Sequence, residues 1–238
     1  MYINKIKLEN FRNYKKQEIE FDKNVNIIYG DNAQGKTNIL ESIFICSLGK
    51  SFRTNKEKEL INKEKDFSKI EMISSKEDRD IKINFELNEK KKFSINGIPT
   101  KRTSDILGKN YIVLFTPEDI MILKNEPSKR RRFLNIMISQ LRPMYVHLLN
   151  QYNKTIEQRN IYLKQIKYEG KSISNLDIWD QQIVELGTKI NEYRKEFIEK
   201  INEKILDIHL KTTENKEKIK IKYISNIRKQ LFRKFEKK

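Results

Sequence analysis

The stretch IIYGDNAQGKTNIL, Ile27 to Leu40, decides how this chain is read. Within it Gly30-Asp31-Asn32-Ala33-Gln34-Gly35-Lys36-Thr37 satisfies the pattern G-x-x-x-x-G-K-[ST], and two of the chain's 7 glycines fall inside that window. The residue types follow from the chemistry of holding phosphate. Glycine tolerates backbone angles that turn successive N–H groups inward, and a helix starting at the end of the loop favours negative charge. Lys36 then reaches the β- and γ-phosphates of ATP, and the Thr37 hydroxyl ligates Mg²⁺. Such a loop needs a strand before it and a helix after it. VNIIY, Val25 to Tyr29, is an apolar run of strand type, and from Asn38 the spacing of Ile39, Leu40, Ile43, Phe44 and Leu48 predicts an amphipathic helix ending near Gly49.

Working outward, Ile6 and Leu8 alternate with Lys5, Lys7 and Glu9, the period of a half-buried strand, and a second edge is expected at Glu18 to Phe21. Ile81, Ile83, Phe85 and Leu87 alternate in the same way after a charged stretch. Asn96-Gly97 is the favoured dipeptide of a tight hairpin turn. YIVLF, Tyr111 to Phe115, reads as a buried strand stopped by Thr116-Pro117. Strand signals vanish beyond Pro127. Helical periodicity then runs to about Thr212 with a break at Tyr168 to Asn175, which predicts two long antiparallel helices joined by a loop. KIKIKYI, Lys218 to Ile224, alternates as a strand would, with no evident partner.

Composition narrows the partners. Of the 238 residues, 50 are Lys or Arg and 33 Asp or Glu, a net +17 that favours a polyanionic partner, nucleic acid or an anionic membrane surface, unless it reflects a lysine-rich proteome. Residues Lys211 to Lys238 hold 11 basic and 3 acidic side chains, so +8 of that charge sits in the tail. Cys46 is the only cysteine, which excludes an intramolecular disulfide and a cysteine-based zinc finger and suits a reducing cytoplasm. His147 and His209 are the only histidines and read as helix-surface residues. No apolar run is long enough to span a bilayer.

Several stretches together resemble the RecF family, recombination-mediator ATPases related to the SMC and ABC-type ATPases. They are LENFRNY at Leu8 to Tyr14, GDNAQGKTNILESIF from Gly30, SFRT at Ser51 to Thr54, and the block from Phe115 to Asn160 that contains SKRRRF. Asn125 and Asn135 stand where that family usually has glycine and aspartate. The resemblance implies an α/β fold, a P-loop NTPase head of the ABC/SMC type with a mixed sheet plus an antiparallel helical arm. Expected boundaries are a head over 1–127, the arm over 128–213, and a basic segment over 214–238 that begins a return to the head.

The resemblance further implies a cytoplasmic protein of DNA repair, replication-fork maintenance and the SOS response. It would bind ATP and Mg²⁺, engage single-stranded, gapped or junction DNA, dimerise with nucleotide between two heads, and meet recombination-mediator proteins. The family's weak DNA-dependent ATPase uses a serine-glycine signature loop and an acidic magnesium strand. Neither occurs in these 238 residues, so the chain reads as C-terminally truncated, competent to bind nucleotide and unable to complete a hydrolytic dimer. Glu118 and Asp119 are the nearest acidic candidates after an apolar run, but Thr116-Pro117 separates them from it. Lys129, Arg130, Arg131 and Arg132 would either contact DNA phosphates or pair with acids at the junction of head and arm. Arg12 and Arg53 would either touch nucleotide or form ordinary salt bridges. Tyr145, Tyr152 and Tyr162 suit core packing better than base stacking. Two other classes stay open on the residues alone, a P-loop phosphotransferase acting on a small metabolite and a non-hydrolysing architectural DNA binder.

Overall fold

A computed structural model describes residues 1–77, 79–120, 122 and 127–225, with the Glu118 side chain outside that set. Asn125 therefore lies outside the described residues. The chain divides into two compact units, Met1–Ile136 and Met137–Lys238.

The first unit is built on one sheet of order β2-β1-β3-β4-β5-β6: β1 (Tyr2–Phe11), β2 (Tyr14–Glu20), β3 (Ser68–Lys76), β4 (Arg79–Leu87), β5 (Lys91–Ile95) and β6 (Ile98–Pro99). Every ladder in it is antiparallel. Alternation explains which face is buried. Ile6 and Leu8 of β1, Ile70 and Met72 of β3, and Ile83 and Phe85 of β4 all point into one core, and the registers Ile6↔Met72, Leu8↔Ile70, Met72↔Ile83 and Ile70↔Phe85 place them in rows. Asn96 (φ 49°) and Gly97 (φ 83°) both take left-handed angles and close the β5–β6 hairpin, as that dipeptide predicts. The central strand β3 was hidden from the sequence reading. Its buried face, Ser68, Ile70, Met72 and Ser74, is half serine, which blunts the alternation.

Helix α1 (Lys36–Leu48) packs on this sheet. It ends at Gly49, whose φ of 73° lets its N–H reach the Ile45 carbonyl at 2.8 Å, and a Cβ there would collide with Thr103 Cγ2. The expected amphipathic pattern is not what forms: Ile39 and every residue from Glu41 to Leu48 are buried. Ser42 and Ser47 donate to the carbonyls of Ile39 and Ile43, so their hydroxyls are satisfied within the helix.

Two expected strands are absent as strands. Val25–Tyr29 and Tyr111–Phe115 join no ladder among the described residues, and only one side of each meets the core, through Ile28 and Ile112. An apolar run becomes a strand only where a neighbouring segment pairs with it along its length. Lys218–Ile224 is likewise not a strand.

Helix α2 (Pro127–Leu141) follows, and the second unit holds the long helices α3 (Pro143–Glu169) and α4 (Leu176–Thr212). Their contacts run in opposite order, Tyr145 with Arg194, Arg159 with Asp180 and Tyr162 with Trp179, so the pair is antiparallel around the loop at Gly170–Asn175. Tyr145 is fully buried and its Oη accepts from Arg194 Nε at 3.0 Å, while Tyr162 stacks on Trp179 with ring centres 4.6 Å apart. Both tyrosines therefore pack as expected. Beyond α4, Glu214 (φ 50°) and Asn215 (φ 62°) reverse the chain. The Asn202 side chain then holds Ile221, donating to its carbonyl at 2.9 Å and accepting from its N–H at 2.8 Å.

Candidate nucleotide site

The loop from Gly30 to Gly35 is exposed up to its last residue and delivers the chain into α1. Three of its residues take positive φ, Gly30 (142°), Ala33 (66°) and Gly35 (103°), which is the backbone habit that turns N–H groups to a common side. Gly35 is required for a second reason. A Cβ there would stand 2.6 Å from Tyr14 Oη, so the β1–β2 hairpin closes directly against the loop. Burial pushes the Tyr14 phenol above its ordinary range, which keeps it neutral beside the loop.

The helix end is left electrostatically open. Gly35 supplies no side-chain cap to α1, and the first turn carries no acidic residue. The positive end of the helix dipole is therefore uncancelled, at an exposed site, with Lys36 as its first residue. Lys36 Nζ donates to the carbonyl oxygens of Gly30 and Asp31, each at 2.6 Å, and so spans the mouth of the loop. Backbone N–H groups, an uncapped helix and a flanking ammonium form a donor set that fits a polyphosphate, with Asp31 the one carboxylate of the loop. Asp31, Asn32 and Gln34 line the exposed rim, and Thr37 is exposed on the first turn.

Behind the loop lies a polar cluster that sequence reasoning missed. Glu41, one turn beyond Thr37, is fully buried, and Arg12 grips it with two bonds, Nε to Oε2 at 3.0 Å and Nη2 to Oε1 at 2.7 Å. Ser51 Oγ donates to Oε1 at 2.5 Å and Arg53 Nη1 to Oε2 at 3.2 Å. Arg53 also donates to Asn38 Oδ1 at 2.6 Å, and Asn38 Nδ2 donates to Asn13 Oδ1 at 2.7 Å. One carboxylate thus ties together the β1–β2 turn, the first turns of α1 and the loop after it. Arg12 and Arg53 are brought to the same acid, the salt-bridge alternative of the two weighed for them. The signal available in the sequence was a lone Glu inside the apolar run ILESIFICSL.

The other candidates fall elsewhere. Asp119 Oδ2 accepts from Thr116 N at 2.7 Å and from Thr116 Oγ1 at 3.0 Å, so it closes the turn at Pro117–Ile120. Among the described residues no cluster of His, Cys, Asp and Glu has the make-up of a metal site. Cys46 is buried, and that burial pushes its thiol far up, which makes it unreactive. Lys129, Arg130, Arg131 and Arg132 are all exposed at the start of α2, and Arg130 Nη1 donates to the Ile122 carbonyl at 3.2 Å. Partial burial, helped by the Arg132 guanidinium, holds the Lys50 ammonium below its usual range.

The AAA domain family matches residues 5–238. The chain is 46% identical over 229 residues to the DNA replication and repair protein RecF of Acetivibrio thermocellus, covering 95% of this chain and 62% of the relative. The chain belongs to the AAA domain family. RecF of Clostridium acetobutylicum is 44% identical over 230 residues, 96% of this chain and 63% of the relative. The chain thus spans less than two thirds of the length of these curated relatives. A solved structure described as the recombination mediator protein RecF-ATP in the RecFOR pathway superimposes with a TM-score of 0.88 at 36% identity, covering 100% of this chain and 66% of that one. A second, described as RecF-ATPrS, gives 0.85 at 39% identity, covering 90% of this chain and 58% of that one. The fold is accordingly that of a P-loop ATPase head with a long helical arm, as the sequence predicts.

Proposed function

We propose that this chain is the ATP-binding part of a RecF-type protein of DNA replication and repair. The observation that carries the reading is the exposed, uncapped start of α1, with Lys36 at the mouth of a loop of positive-φ residues. Gly30 to Gly35 supply N–H groups, Lys36 pairs with the terminal phosphates, and Thr37 offers its hydroxyl to a nucleotide-bound Mg²⁺. The domains run 1–127 for the head, 128–213 for the arm and 214–238 for the basic segment. The solved RecF-ATP relative supports this assignment through its likeness to the whole chain. Binding of labelled ATP is expected for the parent chain and lost in Lys36→Ala. Retention of parental affinity in that variant would sink the assignment.

DNA is the proposed polyanion, single-stranded or gapped, with Lys129, Arg130, Arg131 and Arg132 as its phosphate contacts. The support is electrostatic. Four cations stand in the first two turns of α2 with no acid in the first, and Lys129 and Arg130 in the first turn oppose the helix dipole, an arrangement that stability alone does not favour. Nucleotide-dependent pairing of two heads, and action beside recombination-mediator proteins in the cytoplasm, complete the proposal and follow from the family resemblance alone. Affinity for a gapped duplex should fall steeply with added salt, and neutralising the four cations should flatten that dependence. An affinity insensitive to salt would remove this contact from the proposal.

A further inference from the structure

Three consecutive side chains at the tip of the β1–β2 hairpin reach the nucleotide site. Arg12 holds Glu41 of α1, and Asn13 Oδ1 accepts from Asn38 Nδ2 at 2.7 Å. Tyr14 lies against Gly35, its hydroxyl 3.5 Å from the Gln34 carbonyl oxygen. A regular strand cannot do this, because successive side chains leave it on opposite faces. The alternation is broken at the turn joining Phe11 to Tyr14, where Arg12 takes a φ of 54°, and Asn10 just before it takes 52°. Left-handed angles at residues other than glycine are strained and persist only where the surroundings fix them. Here residues 59–62 fix them. Arg12 N donates to the Leu60 carbonyl at 2.9 Å and Asn62 N to the Asn10 carbonyl at 2.8 Å. Asn62 Nδ2 donates to the Arg12 carbonyl at 2.9 Å, and Arg12 Nη1 to the Glu59 carbonyl at 2.7 Å.

One brace of the loop is Lys36 itself. Residues 30–34 are exposed, and Lys36 Nζ spends N–H groups on the carbonyls of Gly30 and Asp31. A phosphate that draws the ammonium toward itself competes for those same N–H groups. The hairpin contacts do not involve Lys36, so they hold while the ammonium changes partners. Tyr14 fixes the last loop residue, and Asn13 fixes Asn38, the residue after Thr37. We propose that Asn13 and Tyr14 are positioning residues of the phosphate loop, aimed by the strained hairpin turn so that the loop N–H groups and the Thr37 hydroxyl stand ready for a polyphosphate. Setting a site in place beforehand raises affinity by removing the cost of ordering it on binding. The inference rests on the nucleotide reading of the loop.

The test measures binding of labelled ATP by the full 238-residue chain, well below the melt, beside the thermal melt of each variant. Tyr14→Ala should weaken ATP by about tenfold, while Tyr14→Phe, which keeps the ring against Gly35, should bind within about twofold of the parent. Asn13→Ala should weaken ATP by about fivefold, the worth of one hydrogen bond. Asn38→Ala removes the same bond from its other side, so the double variant should bind like Asn38→Ala alone. Ile19→Ala, on β2 of the same hairpin and away from its tip, should lower the melt and leave ATP affinity parental. Parental affinity in both Tyr14→Ala and Asn13→Ala overturns the proposal. So does a loss in Ile19→Ala as large as that in Tyr14→Ala, because the hairpin would then act through stability alone. Should Tyr14→Ala not fold, the Asn13 and Asn38 cycle decides by itself, and additive losses there overturn the proposal. Lys36→Ala separates the two readings. If it abolishes binding while both tip variants bind as the parent does, the positioning role alone fails, and a parent that binds no ATP removes both.

Discussion

Replacing Glu41 by glutamine should be among the most damaging single-atom changes available in the first unit. The carboxylate is fully buried and answers Arg12, whose side chain is 15% exposed, through two bonds of 3.0 and 2.7 Å. Glutamine keeps the volume but offers one oxygen where two accept, and it leaves the Arg12 guanidinium with only the looser, half-exposed Glu59 carboxylate at 3.9 Å as counter-charge. Breaking a pair of this kind from one side costs about 3–5 kcal/mol. Arg53 is 42% exposed, so solvent screens its share and it adds little to that figure. At roughly 2–4 °C per kcal/mol for a domain of this size, the melting temperature should fall by about 10 °C, followed by far-ultraviolet circular dichroism. The decisive companion is the double variant Arg12→Met with Glu41→Leu, which removes both charges and should recover most of the lost stability. A Glu41→Gln protein melting within about 2 °C of the parent would refute the reasoning, since the pair would then carry no more than a solvated contact. Because Asn38 and Ser51 share the cluster, ATP affinity in Glu41→Gln, measured well below the melt, should weaken too.

Three further outcomes follow from particular contacts. Gly49→Ala should lower stability by about 1–3 kcal/mol in a chemical denaturation series, because its φ of 73° is left-handed and the new methyl meets Thr103. Lys5 bonds Glu18 across the β1–β2 pair and holds that carboxyl below its ordinary range. A depressed carboxylate contributes stability above its unfolded value and loses it as pH falls through the folded one. Protection of β2 amides, taken relative to the intrinsic exchange rate at each pH, should therefore fall on acidification below about pH 4, and Glu18→Gln should flatten that fall. Trp179 is the chain's only tryptophan and stacks on Tyr162, so its fluorescence reports the second unit. Arg159→Ala, which frees Asp180, should shift the fluorescence melt by a few °C, about 1 kcal/mol or less for a partly exposed pair.

What the sequence made legible was local. Asn96-Gly97 and Gly49 announce themselves because only certain residues take left-handed angles cheaply, and the loop at Tyr168–Asn175 interrupts a long helical period. The phosphate loop was legible because its spacing is itself the chemistry. Non-local features were not. Val25–Tyr29 and Tyr111–Phe115 have strand composition, yet a strand is a relation between two segments and composition names only one of them. Glu41 carried no local mark of its role, since its partners Arg12 and Arg53 lie 29 and 12 residues away. The full burial of α1 was equally hidden, because Ser42 and Ser47 look polar until their hydroxyls are seen spent on the helix backbone.

The grip of Asn202 on Ile221 has a directional consequence. A primary amide has two N–H donors and a carbonyl acceptor, and here one N–H and the oxygen present the same pair a peptide group presents, so this side chain poses as a strand edge one residue long. Ten residues separate it from the end of α4, about 15 Å of helix. The nine residues of the reversal and return cover that same ground backwards. A single asparagine thus sets a compass bearing: up to Ile221 the returning chain runs antiparallel to α4, toward that helix's beginning. Replacing Asn202 by leucine would keep the helix and lose the heading.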